Sequence, residues 1–279
     1  MLMLRKFTFI CAVSALALGN APALALAQQP AQSGSDTYTP SVGQAGKDVV
    51  WVPTPQALVD RMLEMADVTS DDYVIDLGSG DGRTVISVAR LGARAHGIEY
   101  NPDMVALSKR NAEAAGVTDR ATFEQADIFE SDFSKASVIT LFLLPDLNVK
   151  LRPTLLDMKP GTRVVSNSFD MGDWQPDDTI DAGGDCTSWC TAYKWVIPAK
   201  VEGTWRVGEG ELELTQTYQM LSGTFTQNGE TTQISDARMD GTAITFTADG
   251  TRYIGQVNGA TMTGTAEGAG EWSASRLQN

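Results

Sequence analysis

Residues 74–83 read VIDLGSGDGR, an apolar β-branched run that ends in Asp76 and opens into Gly78, Gly80 and Gly82. The run predicts a short buried strand, and the alternating glycines predict a loop whose backbone can press closely against a ligand. Working outward, apolar spacing predicts helices over 56–68, 83–91, 102–115 and 147–158. Short β-rich runs predict strands over 73–77, 95–99, 121–127, 137–142 and 162–169. Thr54-Pro55 reads as an N-cap followed by a first-turn proline, and Gly116 ends the third of the segments bounded this way. Strand–helix alternation of this kind predicts a parallel sheet covered on both faces, a Rossmann-like α/β fold.

Three ligands compete for the loop. A phosphate-binding P-loop needs a lysine and a Ser or Thr after its last glycine, and Arg83 follows Gly82 instead. A dinucleotide fold wants G-x-G-x-x-G, whereas the glycines here are at 78, 80 and 82, and Asp76 and Asp81 would stand beside a pyrophosphate. S-adenosylmethionine carries an ammonium and a sulfonium and no phosphate, so the same acids attract it. Glu99, closing the next predicted strand about twenty residues on, is placed to accept from both hydroxyls of a ribose. Asp127 closes the third strand and can accept from an adenine amino group, with Ile128 offering the ring an apolar surface. Ligands of such sheets bind at the carboxyl ends of the strands, where all three sites fall.

DLGSGDGR, GIEYNP (97–102) and QADIF (125–129) together resemble the class I S-adenosylmethionine-dependent methyltransferases over about residues 50–198. More narrowly, WVPTP (51–55) and VITLFLLPDLN (138–148) resemble a protein-lysine methyltransferase family. That family includes the mitochondrial enzymes that methylate the ATP synthase c subunit and the adenine nucleotide translocase, with bacterial relatives. The resemblance implies a seven-stranded sheet. It implies that Asp76, Gly78, Ser79, Gly80 and Gly82 line the methionine end of the cofactor, that Glu99 holds the ribose, and that Asp127 with Ile128 holds the adenine. It places Leu143, Leu144, Pro145 and Asp146 on the acceptor side. Asp146 and Asn148 are candidates to orient an amine and Tyr100 to wall the site; Asp146 equally suits the start of a helix. The implied activity is methylation of a protein lysine, with a small-molecule acceptor, or cofactor binding without turnover, as alternatives.

The ends of the chain read differently. Residues 1–27 join Arg5 and Lys6 to an apolar stretch too short to span a membrane comfortably and end Ala25-Leu26-Ala27, which predicts a cleaved export signal and a periplasmic or secreted product with no membrane span. Cleavage removes those two cations and no acid, taking the formal charge from −14 to −16. So acidic a chain repels phosphate backbones, which argues against nucleic acid as a partner. Residues 28–46 predict a flexible lead-in to a methyltransferase domain over 47–199. Residues 200–279 turn to Thr- and Gly-rich β runs, with tight-turn signals at Asn228-Gly229, Asp249-Gly250 and Asn258-Gly259, predicting an antiparallel barrel or sandwich of about eight strands.

Two cysteines remain after cleavage, Cys186 and Cys190, and in an exported protein they predict a disulfide; Trp189 between them is placed to cap a substrate channel. His96 is the single histidine, which excludes a histidine-rich metal site, and its place in a predicted strand argues against a catalytic role in a Ser-His-Asp triad.

Overall fold

The computed structural model describes residues 38–184 and 186–277. The predicted export signal and the first part of the lead-in lie outside them. Two bodies of β structure follow one another, a seven-stranded sheet with helices and a barrel.

The sheet has β1 (Tyr73–Leu77) at its centre, flanked on one side by β2 (Arg94–Glu99) and β3 (Ala121–Gln125) and on the other by β4 (Val138–Leu141) and β5 (Arg163–Asn167), all parallel. β6 (Asp178–Asp181) and β7 (Thr191–Val196) complete the order β3-β2-β1-β4-β5-β7-β6. Both run antiparallel to their neighbours, so the sheet is mixed where alternation alone predicts a parallel one. No helix joins β3 to β4; residues 126–137 form turns instead. Among the described residues the helices are α1 (Gln56–Met65), α2 (Arg83–Arg90), α3 (Pro102–Ala114) and α4 (Pro145–Leu156).

Each start has a local cause. α3 opens with Asn101, whose side chain accepts from the Asp103 amide, followed by Pro102 in the first turn. α2 opens at Gly82, whose φ of +82° suits glycine. α1 departs from expectation, because Thr54 does not cap it. Thr54 is buried, its carbonyl accepting from Arg83 and its hydroxyl from Asn167. The helices bury apolar stripes on the two faces of the sheet, Leu58, Met62 and Leu63 of α1 on one, Leu151 and Leu155 of α4 on the other.

The barrel is built from β8 (Gly203–Val207), β9 (Gly210–Thr217), β10 (Met220–Gln227), β12 (Ser235–Asp240), β13 (Ala243–Ala248), β14 (Thr251–Asn258), β15 (Thr261–Ala266) and β16 (Gly270–Arg276), all antiparallel. β8 pairs with both β9 and β16, and β10 with both β9 and β12, which closes the ring. β11 (Glu230–Gln233) extends the hairpin at the far end of β10. Asn228-Gly229 and Asp249-Gly250 both adopt positive φ through the pair, the type I′ geometry that matches strand twist. The interior is packed with rings, including Phe246 stacked on Tyr253 at 4.6 Å and both edge-on to Trp272.

Barrel and sheet meet through the β9–β10 turn. Tyr218 stacks on Trp174 at 5.6 Å, the Trp174 indole donates to Gln219, and Gln219 donates to the Gln175 carbonyl. The Trp195 indole in turn donates to the Trp174 carbonyl, and Arg238 reaches Asp177 at 2.8 Å. Trp174 is wholly buried at the centre of these contacts. Trp174→Ala is expected to cost about 3–5 kcal/mol of stability, visible as a lower urea midpoint with unchanged far-ultraviolet dichroism of the native state.

Candidate active site

The loop after β1 turns because Gly78 and Ser79 both donate to the Ile98 carbonyl at the end of β2. Gly78 (φ +83°) and Gly80 (φ +54°) lie in the left-handed region. A Cβ on Gly80 would stand 2.7 Å from the Trp51 indole nitrogen, so this position has room only for glycine. Glu99 then fastens the loop: one carboxylate oxygen accepts from the Gly80 amide and the other from the Asn101 amide, both at 2.9 Å. Each oxygen keeps a lone pair free for a further donor.

These elements bound a cavity of about 520 Å³ at the carboxyl ends of the strands. Asp76, Gly78, Ser79, Gly80, Glu99, Tyr100, Asp127 and Ile128 all line it, as the sequence leads one to expect. Gly82 does not. A Cβ there would meet Phe123 at 2.8 Å and Ser108 at 2.9 Å, so this glycine lets α2 pack against α3 and β3. Cys186 and Cys190 are joined as a disulfide with Cα atoms 5.8 Å apart. His96 stays on β2, its ring set against Thr122 and Glu124 of the neighbouring β3.

The predicted acceptor side needs correction. Leu143 and Leu144 line the cavity, but Pro145 and Asp146 sit exposed in the first turn of α4, outside the lining. Asn148 is fully buried, its amide nitrogen within hydrogen-bond reach of the Ser166 hydroxyl and the Phe169 and Asp170 carbonyls. It ties α4 to the segment after β5 and presents no group to a substrate. Phe142, Leu147, Phe169 and Trp189 take that wall instead.

The lead-in is also more ordered than composition implies. Residues 41–51 double back, with Gly43 donating to the Trp51 carbonyl and Trp51 to the Gln44 carbonyl, and residues 44–54 roof the cavity. From this strap Lys47 donates to Asp127 and lies 5.1 Å from the Tyr100 ring centre. Nothing local marks Lys47 as a site residue, since its partner Asp127 is distant in sequence, and Trp51 is marked only as the first residue of the WVPTP motif.

Charge is concentrated here. Asp81 is held by Arg83, whose Nη2 lies 2.6 Å away. The hydrogen bond from Lys47 keeps the Asp127 carboxyl below its ordinary range. Among the described residues no cation pairs with Asp76; burial, with Glu99 and Asp81 nearby, pushes it up to about 7, although the Thr140 hydroxyl donates to it at 2.6 Å. The Ser79 hydroxyl is buried without a hydrogen-bond partner among the described residues. Glycine-lined space, surplus negative charge and an unsatisfied polar atom together fit a cationic ligand without phosphate.

Known proteins agree. Residues 76–178 match the ANTKMT methyltransferase domain. A protein-lysine N-methyltransferase of Saccharolobus islandicus is 45% identical over 135 residues, covering 47% of this chain and 84% of that one. The chain belongs to the protein-lysine N-methyltransferase family. The ATP synthase c-subunit lysine N-methyltransferase of Mus musculus is 38% identical over 140 residues, covering 50% of this chain and 56% of the mouse protein. A crystal structure described as an RNA methyltransferase from Salinibacter ruber, in complex with S-adenosylhomocysteine, superposes with a TM-score of 0.51. It is 53% identical, covering 54% of this chain and 96% of that one. The protein is an S-adenosylmethionine-dependent methyltransferase, and the residues around its cavity suit that cofactor. The matched family domain stops short of the barrel.

Because Asp76 binds its proton more tightly folded than unfolded, protonation stabilises this methyltransferase at low pH. That advantage is fully present below the ordinary value of 3.8 and is lost as pH rises to about 7. Wild type should therefore lose stability relative to Asp76→Asn between about pH 4 and pH 7, on the order of 4 kcal/mol in all. Urea unfolding of the two proteins at intervals of pH measures it; parallel curves would contradict the buried, protonated carboxyl.

Proposed function

We propose that this methyltransferase methylates lysine side chains of a protein substrate outside the cytoplasm. The observation that carries the reading is the family membership of a chain whose cavity is acidic at one end and apolar at the other. On this reading the Gly78–Gly80 backbone and Asp76 receive the amino-acid part of the cofactor, Glu99 the ribose hydroxyls, and Asp127 with Ile128 the adenine. Lys47 must then release or share Asp127 when adenine arrives.

The bound cofactor supplies a methyl group on a sulfonium, which an amine lone pair takes while the carbon–sulfur electrons stay on sulfur. The chain's part is placement and desolvation. Leu143, Leu144 and Leu147 strip water from the incoming lysine, which favours the neutral amine after its proton has gone to solvent. The walls hold that amine in line with the methyl group, and no residue is required as a base.

The Salinibacter relative is described as acting on RNA. A formal charge of −14 opposes approach to a polyanion here, which favours a protein acceptor. Export rests on the N-terminal pattern, and the Cys186–Cys190 disulfide is in keeping with an oxidising compartment.

Calorimetry should give saturable binding of S-adenosylmethionine to wild type, weakened at least about tenfold in Glu99→Ala and in Asp127→Ala by loss of charge-assisted hydrogen bonds. Incubation of the enzyme with methyl-labelled cofactor and cell fractions should put label into protein as methyl-lysine, identified by mass spectrometry. Label confined to RNA or to small molecules overturns the lysine reading. N-terminal sequencing of the product recovered from outside the cytoplasm should begin at Gln28; an intact Met1 on cytosolic protein overturns export.

A further inference from the structure

At the end of the cavity away from Asp127, three rings converge. Phe142 and Phe169 lie 6.1 Å apart, and Trp189 lies 5.9 Å from the first and 5.4 Å from the second. All three line the cavity. The strand order explains their position. Asp127 follows β3, Glu99 ends β2 and the glycine loop follows β1, while Phe142 follows β4 and Phe169 follows β5. The rings therefore stand beyond the glycine loop, on the side opposite the adenine site, where an acceptor must enter.

We infer that Phe142, Phe169 and Trp189 form the acceptor subsite, an aromatic sleeve that takes an alkylammonium side chain and prefers its methylated forms. The inference rests on the lysine reading given under Proposed function. Aromatic faces attract a cation through their quadrupole, and each added methyl group increases the apolar surface the rings can cover. Unlike a carboxylate, the rings do not anchor the proton that an amine must lose before it reacts.

The sleeve is held from two sides. Asn148 donates to the Phe169 carbonyl at 3.1 Å. Trp189 is 43% exposed and sits at φ +57°, a conformation unusual for a bulky residue that persists only where its surroundings impose it. The Cys186–Cys190 disulfide closes the loop around it, and the Cys190 carbonyl accepts from the Ala182 amide at 2.8 Å. The disulfide is thus a positioning element for the exposed ring, which spans from the cavity to solvent.

The test uses the full chain saturated with S-adenosylhomocysteine, titrated by calorimetry with Nα-acetyl-trimethyllysine amide and with its uncharged isostere, in which carbon replaces the quaternary nitrogen. The cation is expected to bind roughly tenfold more tightly than the isostere. Trp189→Ala should abolish that preference and Trp189→Phe should restore most of it, with S-adenosylhomocysteine affinity as in wild type. The double variant Cys186→Ser, Cys190→Ser should lose the preference as Trp189→Ala does. Equal binding of cation and isostere by wild type, or a preference that survives Trp189→Ala, overturns the sleeve. A preference intact in the double serine variant overturns the role of the disulfide. Failure of wild type to bind S-adenosylhomocysteine at all is a different result, one that defeats the cofactor assignment beneath both readings.

Discussion

The site depends on one carboxylate. Glu99 accepts from the Gly80 amide with one oxygen and from the Asn101 amide with the other. It therefore fixes the glycine loop to the end of β2 and to the start of α3 at once. The carbonyls of the loop are taken up from α3, where Ser108 donates to Gly80 at 2.7 Å and Asn111 donates to Asp81 at 2.9 Å. With its backbone satisfied in this way, the loop holds its left-handed glycines through bonds supplied by the chain itself. Removing the carboxylate would free two amides and the loop together, so Glu99 has a structural role that coexists with any contact it makes to a ribose.

That arrangement places four acids around one small space, which is unfavourable by itself. The chain relieves it by three different means. Asp81 is paired with Arg83, Asp127 is capped by Lys47 from the strap, and Asp76 retains a proton to about pH 7. Only the first pairing lies within the loop and its helix. The other two are adjustable: one depends on a segment that roofs the cavity, the other on pH. An acidic cavity that balances its charge with a lysine from the strap and a titratable carboxyl can exchange both for a cationic ligand at modest cost.

Much of this was legible in the residues because the signals are local. A β-branched run, alternating glycines and an acid at each successive strand end are all read within a few positions, so Asp76, Glu99 and Asp127 fall where expected. The errors share a different cause. Gly82 looks like a ligand-binding glycine, yet its need for hydrogen is set by Phe123, forty-one positions away. Asn148 looks functional beside the acceptor segment, but its side chain turns inward to Ser166 and the Phe169 carbonyl. Thr54 reads as a cap and is spent on Asn167 instead. β6 and β7 carry little hydrophobic alternation, since β6 is a mostly exposed edge, and so neither they nor their antiparallel direction could be read from pattern. Lys47 and Trp51 acquire their roles only when the strap folds across the strand ends.

The two ends of the cavity also differ in what they do as the reaction proceeds, on the proposed assignment. S-adenosylmethionine carries one more positive charge than the S-adenosylhomocysteine left behind, and that charge lies next to the glycine loop where Asp76, Asp81 and Glu99 gather. Transfer of the methyl group therefore removes attraction from the acidic end at the moment the acceptor nitrogen becomes cationic beside the rings. The acids hold the donor more firmly than the spent cofactor, and the sleeve holds the methylated amine more firmly than the neutral one that reacted. A site built this way releases its spent cofactor while it retains its acceptor, which is the order of events that adding more than one methyl group to a single nitrogen requires.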